Sequence, residues 1–188
     1  MRQLTGSVEQ QASDSPRKIV VVGTSGCGKN FLGQHLSQKM GCRFIDLDDL
    51  YWRPGWTAKL DEEFVPLVEQ AVASKEWVIA GNYSRTRSMI WSKADLIIWL
   101  DLSLPRCLWQ ALRRSMRRIL SREACCNGNY ETLRRLLGSP SILLWIWNTH
   151  ARRRKDYREL FESCHNPCPM ICLSSTREVN RFIHAFKN

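Results

Sequence analysis

Long apolar runs are missing from this chain. The longest, Ile142 to Trp147, is far too short to cross a bilayer. Met1 to Pro16 lacks the apolar core of a secretion signal. We therefore expect no membrane partner and a cytoplasmic location, and read residues 1–17 as a disordered extension. Acidic residues are scarce as well: 18 Asp plus Glu face 28 Lys plus Arg, for a net charge of +10. Such an excess fits anionic partners, either nucleotides or nucleic acid, and fits equally a solvated basic face. No recognisable nucleic-acid motif accompanies it. None of the eight cysteines forms a Cys-x2-Cys pair. Cys164, Cys168 and Cys172 recur at intervals of four with His165 beside the first, but Pro167 and Pro169 break any helix that would align them. Free thiols rather than a structural zinc site are expected. Internal repeats and interdomain linkers are also lacking, and 188 residues suit one domain, placed at 18–188.

What is present is organised around Ile19-Val20-Val21-Val22-Gly23-Thr24-Ser25-Gly26-Cys27-Gly28-Lys29-Asn30. A β-branched run ends in glycine, and the pattern Gly-x-x-x-x-Gly-Lys follows. Backbone N–H groups of such a loop wrap an anion, and the positive end of the next helix faces it. Gly23, Thr24, Ser25, Gly26, Cys27, Gly28, Lys29, Asn30 and Phe31 are thus the candidate phosphate-binding residues, with Lys29 reaching the outer phosphates. The last motif position normally carries a Ser or Thr hydroxyl for Mg²⁺. Here it is Asn30. Its amide oxygen can enter a metal shell, or the residue only starts the helix.

Strands are expected at 18–22, 42–47, 76–80, 94–100 and 170–173. Helices are expected at 28–40, 60–74 (with Pro66 as a kink or a later start), 85–91, 105–122, 130–137, 141–161 and 176–186. An aromatic loop covers 51–57 and a break falls at Asn127-Gly128-Asn129. Strands alternating with helices imply a parallel sheet covered on both faces. The fold class is α/β: a three-layer α/β/α domain with a five-stranded parallel sheet and a helical lid.

The blocks Gly23 to Lys29, Asp46 to Trp56, Trp77 to Ser84, Ala94 to Leu102, Asn127-Gly128-Asn129 with Glu131, and Thr149-His150 with Arg152 to Arg154 carry a resemblance. The chain resembles bacterial P-loop kinases of the adenylate-kinase-like or DNA topology modulation type, whose relatives include adenylate and shikimate kinases. That resemblance implies ATP as the cofactor with Mg²⁺, and a small acceptor, either a nucleotide or a hydroxylated metabolite. It places Asp48 at the acceptor hydroxyl, Asn82 and Tyr83 at the ligand edge of the sheet, and Arg85 or Arg87 on an acceptor anion. Arg113, Arg114, Arg117 and Arg118 fall in the lid, with Arg114 and Arg118 as catalytic candidates. His150 with Arg152 to Arg154 forms a second basic cluster, and Ser175-Thr176-Arg177 would line the adenine pocket.

The departures bear on catalysis. Relatives read Gly-Lys-Ser-Thr or Gly-Lys-Thr-Thr where this chain reads Gly-Lys-Asn-Phe, and they place an acid where it has Ala80. Asp46 and Asp101 are the remaining carboxylates for a metal shell. An ATP-dependent phosphotransferase is the leading expectation. A nucleotide-binding pseudokinase and a nucleic-acid-associated ATPase are its rivals.

Overall fold

The computed structural model describes residues 16–138, 141–163 and 168–186. The expected extension up to residue 15, and Cys164 and His165, lie outside the described residues.

Five parallel strands form the sheet. They are β1 (Lys18–Gly23), β2 (Arg43–Asp46), β5 (Trp77–Ala80), β6 (Leu96–Leu100) and β9 (Met170–Leu173), in the order β2-β5-β1-β6-β9. Alternation along β1 builds both faces, because successive side chains of a strand point to opposite sides. Ile19 and Val21 pack with α1 (Lys29–Met40), α5 (Leu104–Ser121) and α8 (Thr176–Ala185) through Leu32, Leu36, Cys107, Ala111 and Ile183. Val20 and Val22 turn the other way, onto Phe64 and Val68 of α3 (Asp61–Ala71), Ile90 and Trp91 of α4 (Ser84–Trp91), and Tyr157 of α7 (Ile142–Glu162). Each fully buried aliphatic side chain contributes about 1.5–3 kcal/mol, so the central strand stabilises two layers at once. The result is the expected three-layer α/β/α architecture.

Pro66 does not delay or break its helix. α3 begins at Asp61 and runs through the proline. Pro66 and Glu62 are both exposed, so water can take the Glu62 carbonyl that the missing N–H leaves free.

Two regions differ from expectation. Residues 51–57 are not an irregular loop. α2 (Leu47–Tyr51) is followed by a hairpin of β3 (Trp52–Arg53) and β4 (Thr57–Ala58). The break near residue 128 is a second hairpin, β7 (Ala124–Cys125) with β8 (Asn129–Tyr130), leading to the short α6 (Leu133–Leu137). The hairpins hold each other. Asn127 Nδ2 donates to the Trp52 carbonyl at 2.9 Å, and Asn129 Nδ2 to that of Arg53 at 2.9 Å. Asn129 Oδ1 accepts from Trp56 N at 2.7 Å. Strands of two residues carry no periodic pattern, and these partners lie more than 70 positions apart.

Candidate functional site

The chain turns in opposite directions on either side of β1, which has β5 and β6 as neighbours. Ligands of open α/β sheets bind in the crevice at such a point, beyond the carboxyl ends of the strands. A cavity of about 1180 Å³ opens there.

The phosphate loop forms its floor. Gly23 leaves the sheet at φ 140°, where a Cβ would stand 2.6 Å from the Leu100 carbonyl oxygen, so only glycine fits. Asn82 clips this residue from the next strand: its Oδ1 accepts from Gly23 N at 3.1 Å and its Nδ2 donates to Gly23 O. Tyr157 on α7 donates to the same Oδ1 at 2.9 Å. Asn82 therefore orients the loop. Lys29 folds back over the loop, its Nζ donating to the carbonyls of Gly23 at 3.0 Å and Thr24 at 3.3 Å. Phosphate oxygens, being charged, would make stronger partners for the ammonium than these two carbonyls.

Acidic side chains face the loop from the end of β2. Asp46 caps α2 by accepting from Asp48 N at 3.0 Å, and Asn30 Nδ2 donates to its other oxygen. Burial, followed by the neighbouring charge of Asp48, raises the Asp46 carboxyl from 3.8 to about 6. Tyr83 donates its hydroxyl to Asp48 Oδ1 at 2.6 Å, and burial with that carboxylate pushes the Tyr83 phenol upward. Tyr83 is thus a fixed neutral donor that aims Asp48 into the cavity.

Basic residues approach from the lid. Of the two i,i+4 arginine pairs on α5, Arg114 and Arg118 turn toward the cavity and Arg113 and Arg117 toward solvent. Arg118 pairs with Glu131 at 3.0 Å. The Nε atoms of both Arg114 and Arg118 are buried and find no partner among the described residues. An orphaned buried donor is costly, and an anionic ligand would satisfy it.

The structure brings together Ser25 through Phe31, Asp48, Asn82, Tyr83, Arg85, Arg114 and Arg118 in the cavity wall. Arg85 sits at the rim, ion-paired with Asp61 and 5.8 Å from the centre of the Tyr51 ring. Gly23 and Thr24 lie behind the wall as the root of the loop. Other expected positions fall elsewhere. Arg177 is exposed and outside the wall, because Thr176, Val179 and Asn180 share the inward face of α8. Asp101 is held by Arg154 Nε at 2.7 Å, and Arg158 stands 4.0 Å away. His150 is a buried residue whose Nε2 lies 2.9 Å from the Leu102 carbonyl. Ala80 is buried in register with Asp46, so the acid nearest the loop comes from β2 rather than β5. Arg153, of the expected basic cluster 152–154, lines the cavity, and so does Arg135, which was not singled out as a site residue. The signal for Arg135 was absent locally, since α6 is brought to the cavity only by the tertiary fold.

Comparison with known proteins bears on the fold. No protein-family model matches the chain. A shikimate kinase from Rippkaea orientalis is 28% identical over 162 residues, covering 77% of this chain and 86% of that protein. Threonine synthase-like 1 from Macaca fascicularis is 24% identical over 123 residues, which are 57% of this chain. The chain spans 17% of that relative's length. Among solved structures, a gluconokinase from Sinorhizobium meliloti superposes with a TM-score of 0.53 at 17% identity, covering 92% of this chain and 90% of that one. Shikimate kinase from Acinetobacter baumannii, solved with shikimate, gives 0.53 at 18% identity over 89% and 88%. The chain therefore has the P-loop kinase fold.

Proposed function

We propose that this chain is an ATP-dependent small-molecule kinase that transfers the γ-phosphoryl group of ATP to a hydroxyl of a small acceptor. The observation that carries this reading is the placement of Lys29 with its loop and of Asp48 with Tyr83 in one cavity. At about 1180 Å³ it is large enough for a nucleotide and a small second ligand. In this reading the nucleotide base lies toward Phe31 and Asn180 and the acceptor toward Asp48 and Trp52. The loop amides and Lys29 hold the phosphates, and Tyr83 orients Asp48 to take the acceptor's hydroxyl proton. Arg114 and Arg118 offer their unpartnered Nε atoms to the charge that spreads over the transferring group. The similarity to a shikimate kinase and to a gluconokinase favours a hydroxylated metabolite over a nucleoside monophosphate as acceptor.

Mg²⁺ fits the donor set. Asp46, Asp48 and the amide oxygen of Asn30 are hard oxygen ligands at the loop. Among the described residues no three His, Cys, Asp or Glu side chains form a metal group by themselves, so such an ion would share its shell with nucleotide phosphates. Bound there, it would neutralise phosphate charge.

One observation favours a second reading, in which the chain binds nucleotide without efficient transfer. Asn30 commits its amide nitrogen to Asp46 and supplies no hydroxyl. Calorimetric titration of ATP with and without Mg²⁺, on the wild type and Asn30→Ser, separates the two. The kinase reading predicts tighter binding with Mg²⁺ in both proteins. Binding indifferent to Mg²⁺ in the wild type, but dependent on it in Asn30→Ser, supports the non-catalytic one.

A further inference from the structure

Adjacent side chains of a regular strand point to opposite faces, yet Cys125 and Cys126 both line the cavity. The backbone explains this. Cys125 ends β7, and Cys126 and Asn127 then adopt φ of 46° and 62°, ahead of Gly128 at 80°. Left-handed backbone is unfavourable for residues with a Cβ, and here the hairpin contacts hold it. Asn129 Nδ2 donates to the Cys126 carbonyl at 2.6 Å, alongside the Asn127 bond to Trp52.

The two sulfurs differ in character. The hydrogen bond from Cys126 pulls the Cys125 thiol below its usual range, and the cationic Arg118 and Arg114 add to this against the effect of burial. The hydrogen bond to Cys125, then burial and the Asp48 charge, push the Cys126 thiol up. Neither cysteine belongs to the phosphate loop or to the Asp48–Tyr83 pair. Both are unpaired.

We propose that Cys125–Cys126 is a reversible oxidation site in the cavity wall, with Cys125 as the sulfur that hydroperoxides oxidise first and Cys126 as the resolving thiol. The Cys125 sulfur attacks the terminal peroxide oxygen, the O–O bond breaks, and the alcohol (water, for hydrogen peroxide) leaves. Cys125 is oxidised to the sulfenic acid and the peroxide is reduced. Cys126 sulfur then attacks Cys125, the S–S bond forms, and the hydroxyl departs as water with the Cys126 proton. Two thiols and one hydroperoxide thus give one disulfide, one alcohol and one water. Neighbouring Cα atoms stand about 3.8 Å apart, shorter than the roughly 4.4–6.8 Å usual for a disulfide. The product is strained, and ordinary dithiols return it to the reduced state. This inference stands independently of the kinase reading.

Trypsin cleavage after Arg122 and Arg134 releases residues 123–134, which contain these two cysteines and no other. The full chain is treated with one equivalent of hydrogen peroxide, blocked with N-ethylmaleimide, digested and weighed. The expected peptide is two hydrogens lighter and unalkylated, and dithiothreitol before blocking restores the doubly alkylated form. Cys126→Ser is expected to stop at a sulfenic acid that dimedone traps on Cys125. A doubly alkylated peptide 123–134 while other cysteines are oxidised overturns the proposal. So does oxygen addition to this peptide that dithiothreitol cannot reverse. Because the first measurement needs no variant, a misfolded substitution leaves the test intact.

Discussion

Replacing Asp46 by asparagine is expected to make the ligand-free protein more stable, although Asp46 accepts two hydrogen bonds. The reason is the company its charge keeps. Burial and the neighbouring Asp48 raise the carboxyl from 3.8 to about 6, which corresponds to about 3 kcal/mol against the ionised form. The hydrogen bonds can be kept. The oxygen of the introduced amide would accept from Asp48 N as the carboxylate does now, and a turned Asn30 amide would accept from its nitrogen. The pH dependence has a definite sign. The folded protein holds the Asp46 proton up to about pH 6, whereas the unfolded chain releases it near 3.8. Wild-type stability therefore falls through that window as pH rises and levels off above it. The advantage of Asp46→Asn should be absent near pH 3.5, grow between pH 4 and 6, and reach a plateau of at most about 3 kcal/mol by pH 7. Urea unfolding of both proteins at several pH values without divalent cations measures this difference directly. A variant less stable at pH 8, or a difference flat in pH, would refute the reasoning.

Other outcomes follow from the same geometry. Lys29→Ala should weaken ATP binding by roughly 10- to 150-fold, the value of one charge-assisted contact, as read by calorimetry. Asp48→Asn should leave ATP affinity within a few-fold of wild type while lowering the transfer rate about 10²–10⁴-fold, as expected for loss of a positioned base. Asn82→Ala should cost roughly 2–4 kcal/mol in denaturant unfolding, because Gly23 N and O and the Tyr157 hydroxyl all lose their partner. It should also loosen ATP binding, although Asn82 itself touches no phosphate in this account.

The sheet was legible in the residues because its strands are buried on both faces. Runs such as Val20-Val21-Val22 and Ile97-Ile98 have no other stable use beside glycine or acidic ends. The loop was legible because its chemistry is local: three glycines and a lysine within seven positions. What escaped was non-local. The hairpins at 52–58 and 124–130 exist through Asn127 and Asn129 reaching backbone carbonyls across the cavity. The mismatch at Asn30 read as a lost hydroxyl, and only the fold shows its amide donating to Asp46, sixteen positions away. His150 and Asp101 read as site candidates because the residue type alone does not tell a histidine bonded to a buried carbonyl, or an arginine-bound aspartate, from a catalytic one.

In the proposed function one cavity holds ATP on the Lys29 loop and presents an acceptor hydroxyl to Asp48. The most direct test is incubation of the purified chain with γ-labelled ATP, Mg²⁺ and a panel of hydroxylated acids, sugars and nucleoside monophosphates, with Asp48→Asn in parallel. A labelled acceptor is expected with the wild type, and a loss of at least about a hundredfold in Asp48→Asn at unchanged ATP affinity. Tight ATP binding with no labelled product from any acceptor, or equal labelling by the variant, would contradict it.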